Sequence, residues 1–249
     1  MNKYDINKGV ILLIDSSTLT CCAGVVKDGR VFSSVFSNNG LTHSRTLLPS
    51  AERALSDAQV SADEINAVAV TAGPGSFTGV KIGVSTAKGI AFTKNLPCFS
   101  VSSTAALACG AAFSGIICPV SDARRGMLYN ALFLSDKGVF SRLCCDRQIT
   151  AEALAEEIGK INERVLILGD GADILAGECE KCGTSFSFAP QNSAFIHAEG
   201  IYEALKNGLY EEKTAENLAA VYLRPPQAER ERLERLEAEK KQKEEEEKK

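Results

Sequence analysis

The chain has 249 residues, 45% of them apolar and 24% charged, with a formal net charge of −4. That is enough to bury one large core or two smaller ones, and the near-balanced charge excludes a body that holds nucleic acid by general electrostatics alone, leaving only a local basic patch. The longest early apolar run, residues 10–14, is far below the ~18 residues of a spanning helix, and Asp15 interrupts it before it could serve as a signal-peptide core, so the expected location is the cytoplasm, with no membrane partner.

Nine cysteines in a chain without a signal peptide read as reduced, mostly buried small residues rather than a disulfide framework. Cys179-x-x-Cys182 has only the vicinal pair Cys144 and Cys145 as company, without a second C-x-x-C, so no metal site is expected.

From Val10 the sequence Val-Ile-Leu-Leu-Ile-Asp-Ser-Ser spells a buried strand ending in an acid and two hydroxyls. Residues 23–26 and 31–36, joined through Asp28-Gly29, then predict a hairpin. Beyond it, Leu47, Leu48, Ala51, Ala54, Leu55 and Ala58 recur at helical spacing after His43, with Pro49 in the first turn or at a kink.

The β-branched run 65–70 opens directly onto Thr71-Ala-Gly-Pro-Gly-Ser-Phe-Thr-Gly-Val-Lys-Ile-Gly83: strand, tight turn, helix. Gly73 and Gly75 let another group approach the backbone closely. The amides from Ser76 to Gly79 lack helical partners, so the turn is either an anion seat or simply a turn. It has no G-K-[ST] ending and is not a P-loop.

Within the helix, Gly79, Gly83, Ala87 and Ala91 form a stripe with almost no side chain. Two glycines there cost about 1 kcal/mol each against alanine, so a second backbone is expected to pack against the stripe, from the same chain or across an interface.

Later the same words recur. Gly115 to Asp122 is again a strand ending in Asp, residues 127–134 and 139–140 flank a turn at Lys137-Gly138, and residues 163–171 repeat the strand-then-glycine pattern. Two related α/β lobes are therefore expected, residues 9–102 and 103–224, the last helix free to pack back on the first lobe. Asp15 and Asp122 would then sit at strand ends facing one cleft, either holding a hydrated Mg²⁺ beside a phosphate or capping turns.

Further helices are marked at 103–112, at 151–158 behind Thr150 and ahead of Gly159, and at 193–207 between Asn192 and Gly208. After Pro225-Pro226 the chain changes character: seventeen of the twenty-two residues 228–249 are charged, eight basic and nine acidic, so 225–249 is expected to be a solvated helix or disordered.

No catalytic constellation is legible. The two histidines, His43 and His197, lie far apart in sequence, and there is no H-x-x-x-H, H-E-x-x-H or G-x-S-x-G.

Ile-Asp-Ser-Ser at 14–17, His43 to Pro49, Ala-Gly-Pro-Gly-Ser-Phe-Thr-Gly-Val-Lys-Ile-Gly at 72–83, Ser121 to Tyr129 and Val-Tyr-Leu-Arg at 221–224 together resemble the bacterial TsaB (YeaZ) family, in order over residues 10–224. The resemblance implies the actin-like/Hsp70-like ATPase (ASKHA) fold, an α/β fold of two duplicated lobes with mixed sheets flanked by helices. It implies a role as a tRNA modification factor, in forming N6-threonylcarbamoyladenosine at adenosine 37 of tRNAs reading A-starting codons. In that family the chain is a non-catalytic activator of TsaD, whose H-x-x-x-H pair holds the catalytic metal. TsaE is the associated ATPase, tRNA is met through the complex, and the chain pairs with a second copy when TsaD is absent.

No cofactor is required on this reading, with weak ATP or ADP and Mg²⁺ left as an option at Asp15, Ser16, Gly73, Gly75, Ser76 and Asp122. The expected partner interface is His43, Leu47, Ala51 and the stripe Gly79, Gly83, Ala87 and Ala91. The competing reading is a self-sufficient kinase or ATPase of the same fold; it needs a proton acceptor near the phosphate, and the sequence names none. A free-standing nucleotide-binding module is the third.

Overall fold

Strand β1 (Val10–Asp15) is buried along all six residues and lies in the middle of the first sheet. Such a run of Val, Ile and Leu without alternation is what a strand covered on both faces requires. In the computed structural model, which describes residues 4–223, β1 pairs antiparallel with β2 (Cys21–Lys27) and parallel with β4 (Ile65–Thr71). Strand β3 (Arg30–Ser37) closes the predicted hairpin through Asp28 and Gly29, with φ of 46° and 79°, the left-handed pair that a two-residue turn demands. With β5 (Cys98–Val101) the order is β3-β2-β1-β4-β5, and a late strand, β13 (Tyr210–Lys213), adds itself beside β5.

The second sheet repeats the pattern with one break. Its first strand is β6 (Gly115–Asp122), and its second is split into β7 (Met127–Asn130) and β8 (Phe133–Asp136), both antiparallel to β6. Its third is split likewise into β9 (Val139–Arg142), paired with β8, and β10 (Arg147–Thr150), paired with β7. Strands β11 (Val165–Leu168) and β12 (Ser187–Phe188) complete the order on the far side of β6.

The sequence predicts one strand over 127–134; the break at Ala131-Leu132 falls beside Cys118-Pro119 of β6. Proline has no N–H to give a ladder, and the buried Asn130 amide fills the gap, donating to Pro119 O at 3.0 Å and Ala131 O at 2.8 Å.

The outer face of the first sheet carries α1 (His43–Asp57) and α2 (Phe77–Phe92), and that of the second carries α4 (Ala151–Gly159) and α5 (Ala172–Cys182). Thr150 caps α4 by accepting from Ala153 N, as its position before the apolar run predicts. Between the sheets lie α3 (Ser103–Cys109) and α6 (Ala198–Lys206), packed on one another. Helix α3 rests on β6 of the second sheet, whereas α6 rests on β1, β2 and β3 of the first. One apolar cluster therefore runs from Ile11, Leu13 and Phe99 through Leu107 and Ile201 to Ile117 and Phe133. Two lobes of this strand order with helices on both faces form the actin-like/Hsp70-like arrangement.

Helix α6 starts at Ala198, not at Ser193 as the sequence predicts. Phe195 and His197 hold the preceding segment extended against β3, the His197 ring stacking on Phe36 at 4.3 Å and the Phe195 ring lying 6.3 Å from it. After β13 the chain returns to the first lobe: Ala215 and Leu218 enter its outer core, Val221 N donates to Ala72 O at 2.7 Å, and Tyr222 packs on Phe77 at 4.6 Å. The charged segment 225–249 lies outside the described residues.

The glycine stripe is packed inside its own lobe, which corrects the expectation that it forms a docking face. Gly79, Gly83, Ala87 and Ala91 are all buried. A Cβ at Gly79 would overlap Ser16 O and one at Gly83 would meet Ser16 Oγ at 2.8 Å, while Ser16 Oγ donates to Gly79 O at 2.9 Å. The second backbone that offsets the helical cost of glycine is thus the end of β1. Gly89, on the same helix, faces open space.

The two glycines should behave oppositely in urea denaturation. Gly79→Ala is expected to destabilise by about 1–3 kcal/mol through overpacking, and Gly89→Ala to stabilise by about 1 kcal/mol through helix propensity. Equal shifts would place the stripe away from β1.

Candidate functional site

The two strand-1 ends, the turn that opens α2 and the β6–β7 turn converge on a cleft of about 630 Å³ between the lobes. The first lobe lines it with Ser17, Thr18, Gly75, Ser76 and Thr78; the second contributes Ser121, Asp122, Arg124, Arg125 and Asp170. Tyr222, from the returning segment, lies at the same opening.

On the first-lobe wall the backbone closes on itself. Ser76 N donates to Ser17 O at 2.8 Å, Gly79 N donates to the Ser76 hydroxyl at 3.3 Å, and a Cβ at Gly75 would overlap Ser17 O. Two amides that could have met an anion therefore already have protein acceptors. Gly73, with φ 110°, faces Val221 O and does not line the cleft.

Asp15 is fully buried beneath this wall. Its Oδ1 accepts from Ser17 N at 3.1 Å, from Ser17 Oγ at 2.6 Å and from the Thr71 hydroxyl, while Oδ2 is buried with no partner among the described residues. Burial pushes the Asp15 pKa up against the hydrogen bonds from Ser17 and Thr71, which pull it down. Asp15 and Ser16 thus brace the β1–β2 turn and do not reach the cleft, whereas Gly75, Ser76 and Asp122 do. The six residues expected to meet a nucleotide are split into two groups, and the paired-carboxylate arrangement for Mg²⁺ is not formed by Asp15.

On the second-lobe wall Asp122 accepts from Arg124 N at 2.7 Å and pairs with Arg124 Nη1 at 3.0 Å. Its own amide donates to Asp170 Oδ1 at 3.2 Å, and burial raises the Asp170 pKa against that bond and one from Ser121. Arg124, Arg125 and Gly126 have φ of 69°, 58° and 71°, so two arginines stand in left-handed backbone that side-chain-bearing residues rarely adopt. Neither Asp170 nor the two arginines stands out in the sequence as a site residue; the echo of Gly73-Pro-Gly75 in Gly169-Asp-Gly171, with φ of 110° at both first glycines, is the signal that finds Asp170.

Two of the other expected interface residues are also inside, and the third stands half-buried at the cleft. Leu47 and Ala51 belong to the first lobe's outer core, and His43 lines the cleft edge with Nε2 2.8 Å from Thr18 O, as donor in the tautomer with that nitrogen protonated. The large apolar side chains that α1 and α2 leave exposed are Leu48, 50% exposed, Phe77, 39%, and Phe92, 66%. The cysteines are free thiols, and burial raises Cys98 to about 11 and Cys109 to about 12, far from the reactive range.

Asp15→Asn should keep the acceptor at Oδ1 and remove a buried charge. A raised native pKa makes the native state bind the proton more tightly than the unfolded chain, so the carboxyl's cost is absent below the ordinary aspartate pKa and grows as pH rises towards the native value. The variant's melting temperature relative to the parent is expected to be highest near pH 7 and to fall back on acidification towards pH 4, read by calorimetry over that range. A relative melting temperature that is flat or rises on acidification would mean that Asp15 is held as a paired carboxylate.

The family model described as TsaD, tRNA N6-adenosine threonylcarbamoyltransferase, matches residues 37–228. The tRNA threonylcarbamoyladenosine biosynthesis protein TsaB of Bacillus subtilis is 32% identical over 64% of this chain and 70% of its own length. TsaB of Escherichia coli is 31% identical over 65% of this chain and 71% of its own length. The solved structure of YeaZ from Pseudomonas aeruginosa superposes with a TM-score of 0.71 at 26% identity, over 86% of this chain and 100% of that one. Duplicated lobes, the closed glycine turn and these likenesses agree: the chain belongs to the TsaB (YeaZ) family.

Proposed function

We propose that this chain is the non-catalytic partner of the transferase TsaD in tRNA threonylcarbamoyladenosine biosynthesis, the pathway in which members of its family act. It works as a scaffold that activates TsaD, with TsaE as the ATPase of the complex, tRNA met through the complex, and a second copy as partner when TsaD is absent.

The transferase and its partner share a family model, so the residues have to separate them. The observation that carries the partner reading is the fate of the two histidines. A metal-holding pair needs both on one helix face; here His43 is spent on Thr18 O and His197 is stacked on Phe36 of β3. The first-lobe wall of the cleft argues in the same direction, because its Ser76 and Gly79 amides and Asp15 are engaged within the protein and no cofactor is needed for a supporting role.

The docking face is the outer side of α1 and α2, on residues other than the buried stripe. Leu48 stands exposed in the middle of α1, and Lys81 and Ser85 face outward from α2. A contact here fixes the first lobe against a partner without disturbing the cleft.

Two outcomes test this. Incubated alone with threonylcarbamoyl-adenylate and substrate tRNA, the chain is expected to leave the tRNA unmodified until TsaD is added; modification by the lone chain would overturn the partner reading. Leu48→Asp is expected to keep the fold by circular dichroism and to weaken TsaD binding in calorimetry by about ten- to a hundredfold, the equivalent of the ~1.5–3 kcal/mol of one buried leucine. Unchanged affinity would move the interface off this face.

A further inference from the structure

A second pocket, of about 320 Å³, lies behind the glycine turn: Gly73 lines it and does not line the cleft. Its apolar wall is Ala72 and Val101 of the first lobe with Leu209 and Val221 from the chain after α6. The second lobe supplies Arg142, the last residue of β9, and Asp146, just ahead of β10. A mostly apolar hollow with a few converging polar groups is the usual make-up of a small-molecule site, and this volume is at the small end of the ~300–1,000 Å³ range.

The polar end is an ion pair with unused capacity. Arg142 Nη1 donates to Asp146 Oδ1 at 2.9 Å, and the same oxygen accepts from the Thr104 hydroxyl. The guanidinium is also held over the Phe133 ring, 4.6 Å from its centre. Both side chains are largely buried, 24% and 18% exposed, yet Asp146 Oδ2 and the remaining guanidinium N–H groups have no hydrogen-bond partner among the described residues. Glu211, at the rim, is matched by Lys213 at 2.8 Å. The pocket's charges therefore cancel, with a free acceptor oxygen standing beside free donors. A simple anion entering here would face Asp146 and a simple cation Arg142, whereas a ligand that carries both charges meets both.

We propose that this pocket binds a free α-amino acid with an apolar side chain, its carboxylate on the Arg142 N–H groups, its ammonium on Asp146 Oδ2 and its side chain against Ala72, Val101, Leu209 and Val221. An α-amino acid carries its two charges one carbon apart, which suits a guanidinium and a carboxylate already in contact. None of the lining belongs to α1 or α2, so the site is separate from the face assigned to TsaD.

The test titrates the full chain with L-leucine by calorimetry, with an expected Kd of about 1 mM for a ligand of this size. Two analogues of the same shape, 4-methylpentanoate without the ammonium and 3-methylbutylamine without the carboxylate, should each bind about tenfold more weakly or worse. Asp146→Asn should weaken leucine about tenfold and strengthen 4-methylpentanoate, because Arg142 is then unmatched; a residue that only supports the fold would weaken both alike. Cys145 is exposed on the pocket lining and reports the location. At four times its Kd, leucine should slow alkylation of Cys145 by iodoacetamide about fivefold and leave Cys182, exposed on α5, unchanged. No leucine binding, equal binding of the three probes, or binding that leaves Cys145 unprotected would each overturn the proposal, and these three readings on the parent chain decide it even if the variant does not fold.

Discussion

The first lobe depends on a contact between two stretches of backbone. The turn that opens α2 lies so close to the β1–β2 turn that Gly75 and Gly79 have no room for a Cβ, and Ser16, Ser17 and Ser76 stitch the two together. Asp15 sits under the seam and holds Ser17 and Thr71 from below. A glycine at these positions is a steric requirement, and the same contact gives the Ser76 amide an acceptor in Ser17 O.

This seam separates fold from chemistry. The architecture places two strand ends, a helix start and a tight turn around one cleft, which is where an α/β fold offers a ligand site. In this chain the Ser76 and Gly79 amides and Asp15 of the first-lobe half are engaged in holding the lobe together. The second-lobe half remains open, with its arginines raised on a left-handed turn.

Much of this was legible beforehand. The uninterrupted apolar run of β1, the Asp28-Gly29 hairpin and the strand-turn-helix at 65–92 follow from local rules, and the recurrence of the same words in the second half gives the duplication. The purpose of the glycine stripe was not legible, because periodicity records that a backbone comes near without saying whose. The late start of α6 was hidden for a related reason: Phe195 and His197 take their conformation from Phe36, some 160 residues earlier, and Asn192 imitates a cap that the chain does not use. Pro119 did carry a readable signal for the broken strand, since a proline in a central strand leaves its neighbour without a donor.

The crossed positions of α3 and α6 have a consequence for how the molecule can move and unfold. Each sheet's inner layer is a helix that packs on its counterpart from the other half of the chain, and α6 reaches its sheet only after the entire second sheet has been laid down. A chain cut after Val101 would leave the first sheet without α6 and expose Ile11, Leu13 and Phe99. The lobes are therefore not two jaws on a hinge: opening them would tear a shared interior, and denaturation should remove both in a single cooperative step.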